Sequence, residues 1–195
     1  METPPIASLK RAFARLTAAR VPCALGGSGL LAGLGLVDHV RDWDITAEGD
    51  VAAIAALFAD LPHELAGNSG IHADHKVMLM AEKVEVIVNF AFAVEGPVIR
   101  IPTLARATWN GVPLASPEAW AVAYALMGEY EGEARRRERA ELLFGHLEEN
   151  GADEEALRLL LAQPLPANLA RRLIGLQARS LPRDEIDAPA DEEPA

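Results

Sequence analysis

The chain has 195 residues, half of them apolar and 24% charged. That excludes wholesale disorder and fibrous architecture, and allows one domain or a domain with a small helical appendage. Asp plus Glu number 29 against 18 Lys plus Arg, a net charge of −11, and no long basic tract offers a surface for duplex DNA. The single cysteine, Cys23, rules out an intramolecular disulfide and a multi-cysteine zinc site. No basic segment followed by an apolar one opens the chain, and the longest uncharged stretch, 17 residues from Val21 to Val37, carries Pro22 and five glycines. These features predict a cytoplasmic protein with no membrane span.

In chain order, residues 5–20 read as an amphipathic helix, with Ile6, Leu9, Phe13 and Leu16 at spacings of three and four. Val21–Leu25 reads as a short buried strand, Gly26–Gly29 as a turn and Leu30–Leu36 as a short helix. Val40 to Ile45 alternates, so that Val40, Asp42 and Asp44 share one face of a strand and Arg41, Trp43 and Ile45 the other. Residues 50–61 form a second helix. A short strand and a Gly-Asn-Ser-Gly loop follow over 63–71. Val77–Met80 and Val84–Phe90 make a hairpin, with Glu85 amid valines, and 97–101 and 111–115 are two more strands. Ser116-Pro117-Glu118 starts a helix: a capping serine, a proline at the first helical position and an acid in the first turn. Helices then cover 116–129, 133–149, 152–163 and 166–180. The acid- and proline-rich residues 182–195 read as a disordered tail.

Asp42 and Asp44, one residue apart, point the same way. Like charges so close repel, and burying them is costly unless a cation neutralises them. A hard divalent cation takes oxygen ligands and keeps sites for substrate phosphates. If the strand of Glu85 lies beside that of the aspartates, three acids converge on one site suited to in-line phosphoryl or nucleotidyl displacement. Upstream, Leu25-Gly26-Gly27-Ser28-Gly29 sits at a strand-to-helix turn, where glycine admits close backbone approach and the helix start presents N–H groups to phosphate.

These residues carry a resemblance. Leu25-Gly26-Gly27-Ser28, then Asp42-Trp43-Asp44-Ile45 after thirteen intervening residues, then Val84-Glu85-Val86, is similar to the motif set of the DNA polymerase β-like nucleotidyltransferase superfamily. The segment from Val112 to Glu118, followed by helices, resembles its small bacterial members. The resemblance implies an α/β (α+β) fold: a short mixed sheet with flanking helices over residues 1–115, then a helical segment over 116–181. It implies transfer of a nucleoside monophosphate from an NTP to an acceptor hydroxyl, with release of pyrophosphate. By position, Gly26, Gly27 and Ser28 would bind the nucleotide. Asp42 and Asp44 would ligate Mg²⁺, or Mn²⁺ in its place, and Glu85 would complete the metal site and take the acceptor's proton. The acceptor would be a small molecule, a protein side chain or a tRNA end. The family often carries a basic residue just after this helix; here Glu129 and Glu131 stand there, and the arginines come at 135–137 and 139.

Plainer readings compete. The glycine turn resembles part of a Rossmann turn, with Asp44 as the ribose acid, but that leaves Asp42 and Glu85 without a role. A P-loop is excluded, because no Gly-Lys-Ser/Thr follows. The three acids could be solvent-face residues of a half-exposed sheet. His72-x-Asp74-His75 reads as a polar loop rather than a metal cluster. The arginine run reads as a solvated helix face, paired with Glu131, Glu133, Glu138 and Glu141 at helical spacings. Trp43, Trp109 and Trp120 read as packing residues. The alternative function is a catalytically inactive protein of the same fold that binds a nucleotide or a partner protein.

Overall fold

The computed structural model describes residues 3–67, 70–93 and 96–180. The expected tail at 182–195 and two residues of the 67–70 loop lie outside them. Helix α1 (Ile6–Ala18) buries its stripe, with Leu9 and Leu16 fully inaccessible and Phe13 nearly so. Strand β1 (Cys23–Leu25) leads into α2 (Gly27–Gly33), then β2 (Trp43–Ala47) and α3 (Val51–Ala56). Asp50 caps α3 by accepting the Ala53 N–H at 2.8 Å. The strands β3 (Glu64–Gly67), β4 (His75–Leu79) and β5 (Val84–Val88) follow, with a 3₁₀ turn at Met80–Glu82 between the last two.

A small ribbon, β6 (Ala91–Phe92) with β7 (Ile99–Arg100), precedes the hairpin of β8 (Ala105–Trp109) and β9 (Val112–Ala115). Its turn is Asn110-Gly111, both at positive φ, the two-residue connection that matches strand twist. Four helices complete the described residues: α4 (Pro117–Tyr130), α5 (Ala134–Asn150), α6 (Glu154–Leu161) and α7 (Ala167–Ser180). Ser116 caps α4 as its sequence predicts, accepting the Ala119 N–H at 3.2 Å.

Three expectations shift. The helix after the glycine turn begins at Gly27 rather than Leu30, so the glycine-serine segment is itself the first helical turn. Strand β2 begins at Trp43, which leaves Asp42 just before it. Strand β8 was not anticipated: its residues are mostly exposed and lack the alternation that marks a half-buried strand.

Seven strands form one mixed sheet in the order β3-β4-β5-β2-β1-β9-β8. At its centre β2 and β5 run parallel, in the register Trp43–Val84, Asp44–Glu85, Ile45–Val86. The alternation within both strands then sorts the faces. Trp43, Ile45, Val84, Val86 and Val88 enter the core beneath α1, while Asp44 and Glu85 project from the other face. Helix α4 is apolar nearly all round, with Trp120, Ala121, Val122, Tyr124 and Leu126 buried, and it packs on α5 and α6. One continuous hydrophobic core runs from Leu9 to Leu176. No helix among the described residues is long and apolar enough to cross a membrane.

Candidate active site

The parallel β2–β5 register sets Asp44 and Glu85 directly opposite one another. Asp42, at the mouth of β2, joins them on the wall of a small cleft of about 90 Å³. Two strands distant in sequence thus bring the three predicted acids to one cavity. The remaining wall includes Lys76 of β4, Ile87 of β5, Phe90 beyond it, Trp120 and Met127 of α4, and Arg136 and Arg139 of α5.

Each of the glycine-turn residues buttresses this wall. Gly26 donates its N–H to the Asp44 carbonyl at 2.8 Å, and a Cβ there would collide with the Trp120 ring. Gly27 has φ +55°, and a Cβ on it would overlap the Asp44 carboxylate. Glycine is therefore required twice over at position 27, by backbone conformation and by space. Ser28 is buried, its hydroxyl donating to the Asp42 carbonyl at 3.4 Å. As arranged here, Gly26, Gly27 and Ser28 shape the acid site from behind.

The electrostatics are those of a crowded acid site. Burial first, and then the charges of Asp42 and Glu85, push the Asp44 carboxyl up to about 7; Lys76 and Arg136 oppose this in part. Lys76 Nζ lies 3.1 Å from Glu85, and the Arg41 guanidinium 3.1 Å from Asp42. The hydrogen bond that Arg41 donates to Asp42, followed by the Asp42 charge, holds the Arg41 pKa above its ordinary value.

The donor set is entirely carboxylate oxygen, which suits Mg²⁺ or Mn²⁺ rather than a softer metal. The Asp44 charge, disfavoured in the metal-free site, is what such a cation would stabilise. Asp42 and Asp44 fit as its ligands, with Glu85 on the facing strand. Among the described residues no group of three His, Cys, Asp or Glu side chains stands placed to hold a metal ion, and Lys76 and Arg41 engage the two outer carboxylates.

Sequence reasoning missed several residues of the cleft. Arg136 keeps the expected pairing, 3.3 Å from Glu133 and 3.9 Å from Glu131, and with Arg139 it also lines the cleft. Arg139 donates to the Tyr124 hydroxyl at 3.1 Å, and both guanidinium groups lie over the Tyr124 ring, at 5.9 and 5.4 Å from its centroid. They supply the cationic wall that the acids after α4 do not. His72, read as part of a polar loop, lines the cleft, and its Nε2 lies 2.8 Å from Glu131. The Asp74 carboxylate, 3.5 Å from its Nδ1, raises its pKa, burial opposes this, and Glu131 adds to the rise. Lys76 was legible in principle: it alternates with Val77 and Leu79 and so falls on the face of Glu85. The three tryptophans pack as expected, Trp43 against Trp109 and Trp120 against Phe90 and Tyr124.

Neither a protein-family model nor a curated protein matches the chain. Solved structures do. A Thermotoga maritima protein assigned as a nucleotidyltransferase superposes with a TM-score of 0.53 at 22% identity, over 74% of this chain and 93% of that one. The solution structure of the antibiotic-resistance factor ANT(2'')-Ia gives 0.56 at 18% identity, over 89% and 95%. The crystal structure of ANT(2'')-Ia in complex with adenylyl-2''-tobramycin gives 0.54 at 15%, over 90% and 98%. With the acids of β2 and β5 facing one cleft behind a glycine turn, and with these neighbours, the chain has the DNA polymerase β-like nucleotidyltransferase fold.

Proposed function

We propose that the protein transfers a nucleoside monophosphate from an NTP to an acceptor hydroxyl in a Mg²⁺-dependent reaction. The observation that carries this reading is the pairing of Asp44 with Glu85 across β2 and β5, beside Asp42, in a cleft whose opposite wall holds Arg136 and Arg139. Anionic phosphates enter between these two walls, and the arginines neutralise them. Asp42 and Asp44 would hold the cation. When bound, Mg²⁺ supplies charge neutralisation on the transferred phosphoryl group and favours ionisation of the acceptor. Glu85 accepts the acceptor's proton, and Lys76 holds that carboxylate in place at 3.1 Å. The acceptor oxygen bonds to the α-phosphorus as the bond to the pyrophosphate oxygen breaks, and pyrophosphate leaves toward Arg136 and Arg139. ANT(2'')-Ia was solved with an adenylylated aminoglycoside, which supports a small hydroxylated molecule as one class of acceptor.

A second reading has its own observation. Glu85 and Asp42 are each ion-paired within the protein, to Lys76 and Arg41, as in a site that binds nucleotide without transfer. The test is incubation with each α-labelled NTP, Mg²⁺ or Mn²⁺ and a cell extract, repeated with Asp44→Asn. Label on an acceptor that disappears in the variant supports the transferase. Nucleotide binding without transfer supports the binding protein, and no nucleotide binding defeats both.

A further inference from the structure

Two cavities meet at the acids. The cleft described above extends past Ile87 and Phe90, toward and beyond the C-terminal end of β5. A second groove, of about 240 Å³, runs the other way, past Lys83 and Val84 at the start of β5 and Met78, Leu79 and Met80 at the end of antiparallel β4. The two share Arg41, Asp42 and Glu85. In an in-line displacement the entering and leaving oxygens lie on opposite sides of the phosphorus. A nucleotide whose pyrophosphate lies in the first cleft leaves the second groove as the approach for the acceptor.

We propose that this groove is the acceptor subsite and that it selects a neutral or anionic alcohol whose hydroxyl is carried on an apolar body. The proposal rests on the reading of the first cleft as the nucleotide site. Methionine is the adaptable side chain of binding surfaces, and two of them, Met78 and Met80, flank the groove, Met80 being 63% exposed. Leu79 and Val84 border it at one end, their side chains buried in the core on the far face of the sheet. The two acids it shares with the cleft are engaged by Arg41 and Lys76. Glu82, next to the groove, is drawn away by Arg11 at 2.5 Å. With Arg41 engaged by Asp42 and Glu85 by Lys76, Lys83 is the cation left to line the groove, and it repels a polycation. In the transfer itself, the acceptor O–H loses its proton to the Glu85 carboxylate and a bond forms from that oxygen to the α-phosphorus. The bond from the α-phosphorus to the pyrophosphate oxygen breaks, and pyrophosphate departs.

The methionines report each cavity separately: Met127 lines the cleft, Met78 and Met80 the groove. The full chain, carrying ¹³C-methyl methionine, is titrated by NMR with the Mg²⁺ complex of α,β-methylene-ATP. It is then titrated with n-octyl β-D-glucoside below its micelle concentration, or with kanamycin as the polycationic alcohol. The expected result is that nucleotide moves the Met127 methyl, octyl glucoside moves Met78 and Met80, and kanamycin moves neither of these two. Met80→Glu, at an exposed site, weakens octyl glucoside binding about fivefold and leaves the Met127 response to nucleotide intact. Octyl glucoside that leaves Met78 and Met80 unmoved while nucleotide moves Met127, or kanamycin that moves them, overturns the acceptor assignment alone. A Met127 signal indifferent to nucleotide overturns the nucleotide site, and the acceptor assignment falls with it.

Discussion

Replacing Asp44 by asparagine should stabilise the metal-free protein at neutral and higher pH while abolishing its response to Mg²⁺. The folded carboxyl is pushed up to about 7 from an ordinary value of 3.8. Between these values the folded state holds a proton that the unfolded chain has lost, so this group's contribution to stability is fully present below pH 3.8 and is lost as pH rises through 7. Each unit is worth about 1.4 kcal/mol, and solvent entering the open cleft reduces the total to about 1–3 kcal/mol. Asparagine keeps the shape and removes the charge. Thermal unfolding in EDTA should therefore show the variant melting about 3–8 °C above the parent near pH 8, with the gap closing toward about pH 5. Adding Mg²⁺ should raise the parent's midpoint and leave the variant's unchanged. A variant that melts below the parent at pH 8 without metal would refute the argument, because Asp44 would then be a stabilising charge rather than a strained one.

Gly27→Ala should destabilise the fold by more than about 2 kcal/mol, since the residue is at φ +55° and its Cβ would displace the Asp44 carboxylate. Urea unfolding that shows a change under about 0.5 kcal/mol would remove that steric argument. His72→Gln should cost stability below pH 6.5, where protonated His72 joins Asp74 and Glu131, and the cost should vanish as pH climbs through the raised folded pKa. A pH-independent difference between parent and variant would count against it. Glu118 is 2% exposed and accepts the Ser116 hydroxyl at 2.5 Å and the Asp153 N–H at 2.8 Å, tying the start of α4 to the start of α6. Glu118→Ala should lower unfolding free energy by about 2–3 kcal/mol, measured by urea titration, by leaving those donors unmet.

Local chemistry was legible in the sequence because it acts over a few residues. The apolar stripe of α1, the Ser116 cap with Pro117 behind it, and the alternation in β2 and β5 each follow from the period of one element and the donors at its end. The same alternation places Asp44 and Glu85 opposite their apolar neighbours. What alternation does not contain is which strands pair, and in what register. That Asp44 meets Glu85, 41 residues on, depends on burying Trp43, Ile45, Val84 and Val86 together beneath α1. Strand β8 escaped for a related reason: its residues gain little from burial, and the Asn110-Gly111 turn and the pairing with β9 hold it in place. Arginine direction was also undetermined. Arg136 does pair with Glu133 as helical spacing allows, but only the packing of α5 on α4, over Tyr124, also sets Arg136 and Arg139 in the cleft of the acids. Periodicity states which side of an element is apolar; the long-range contacts that bury that side decide which polar groups then face each other.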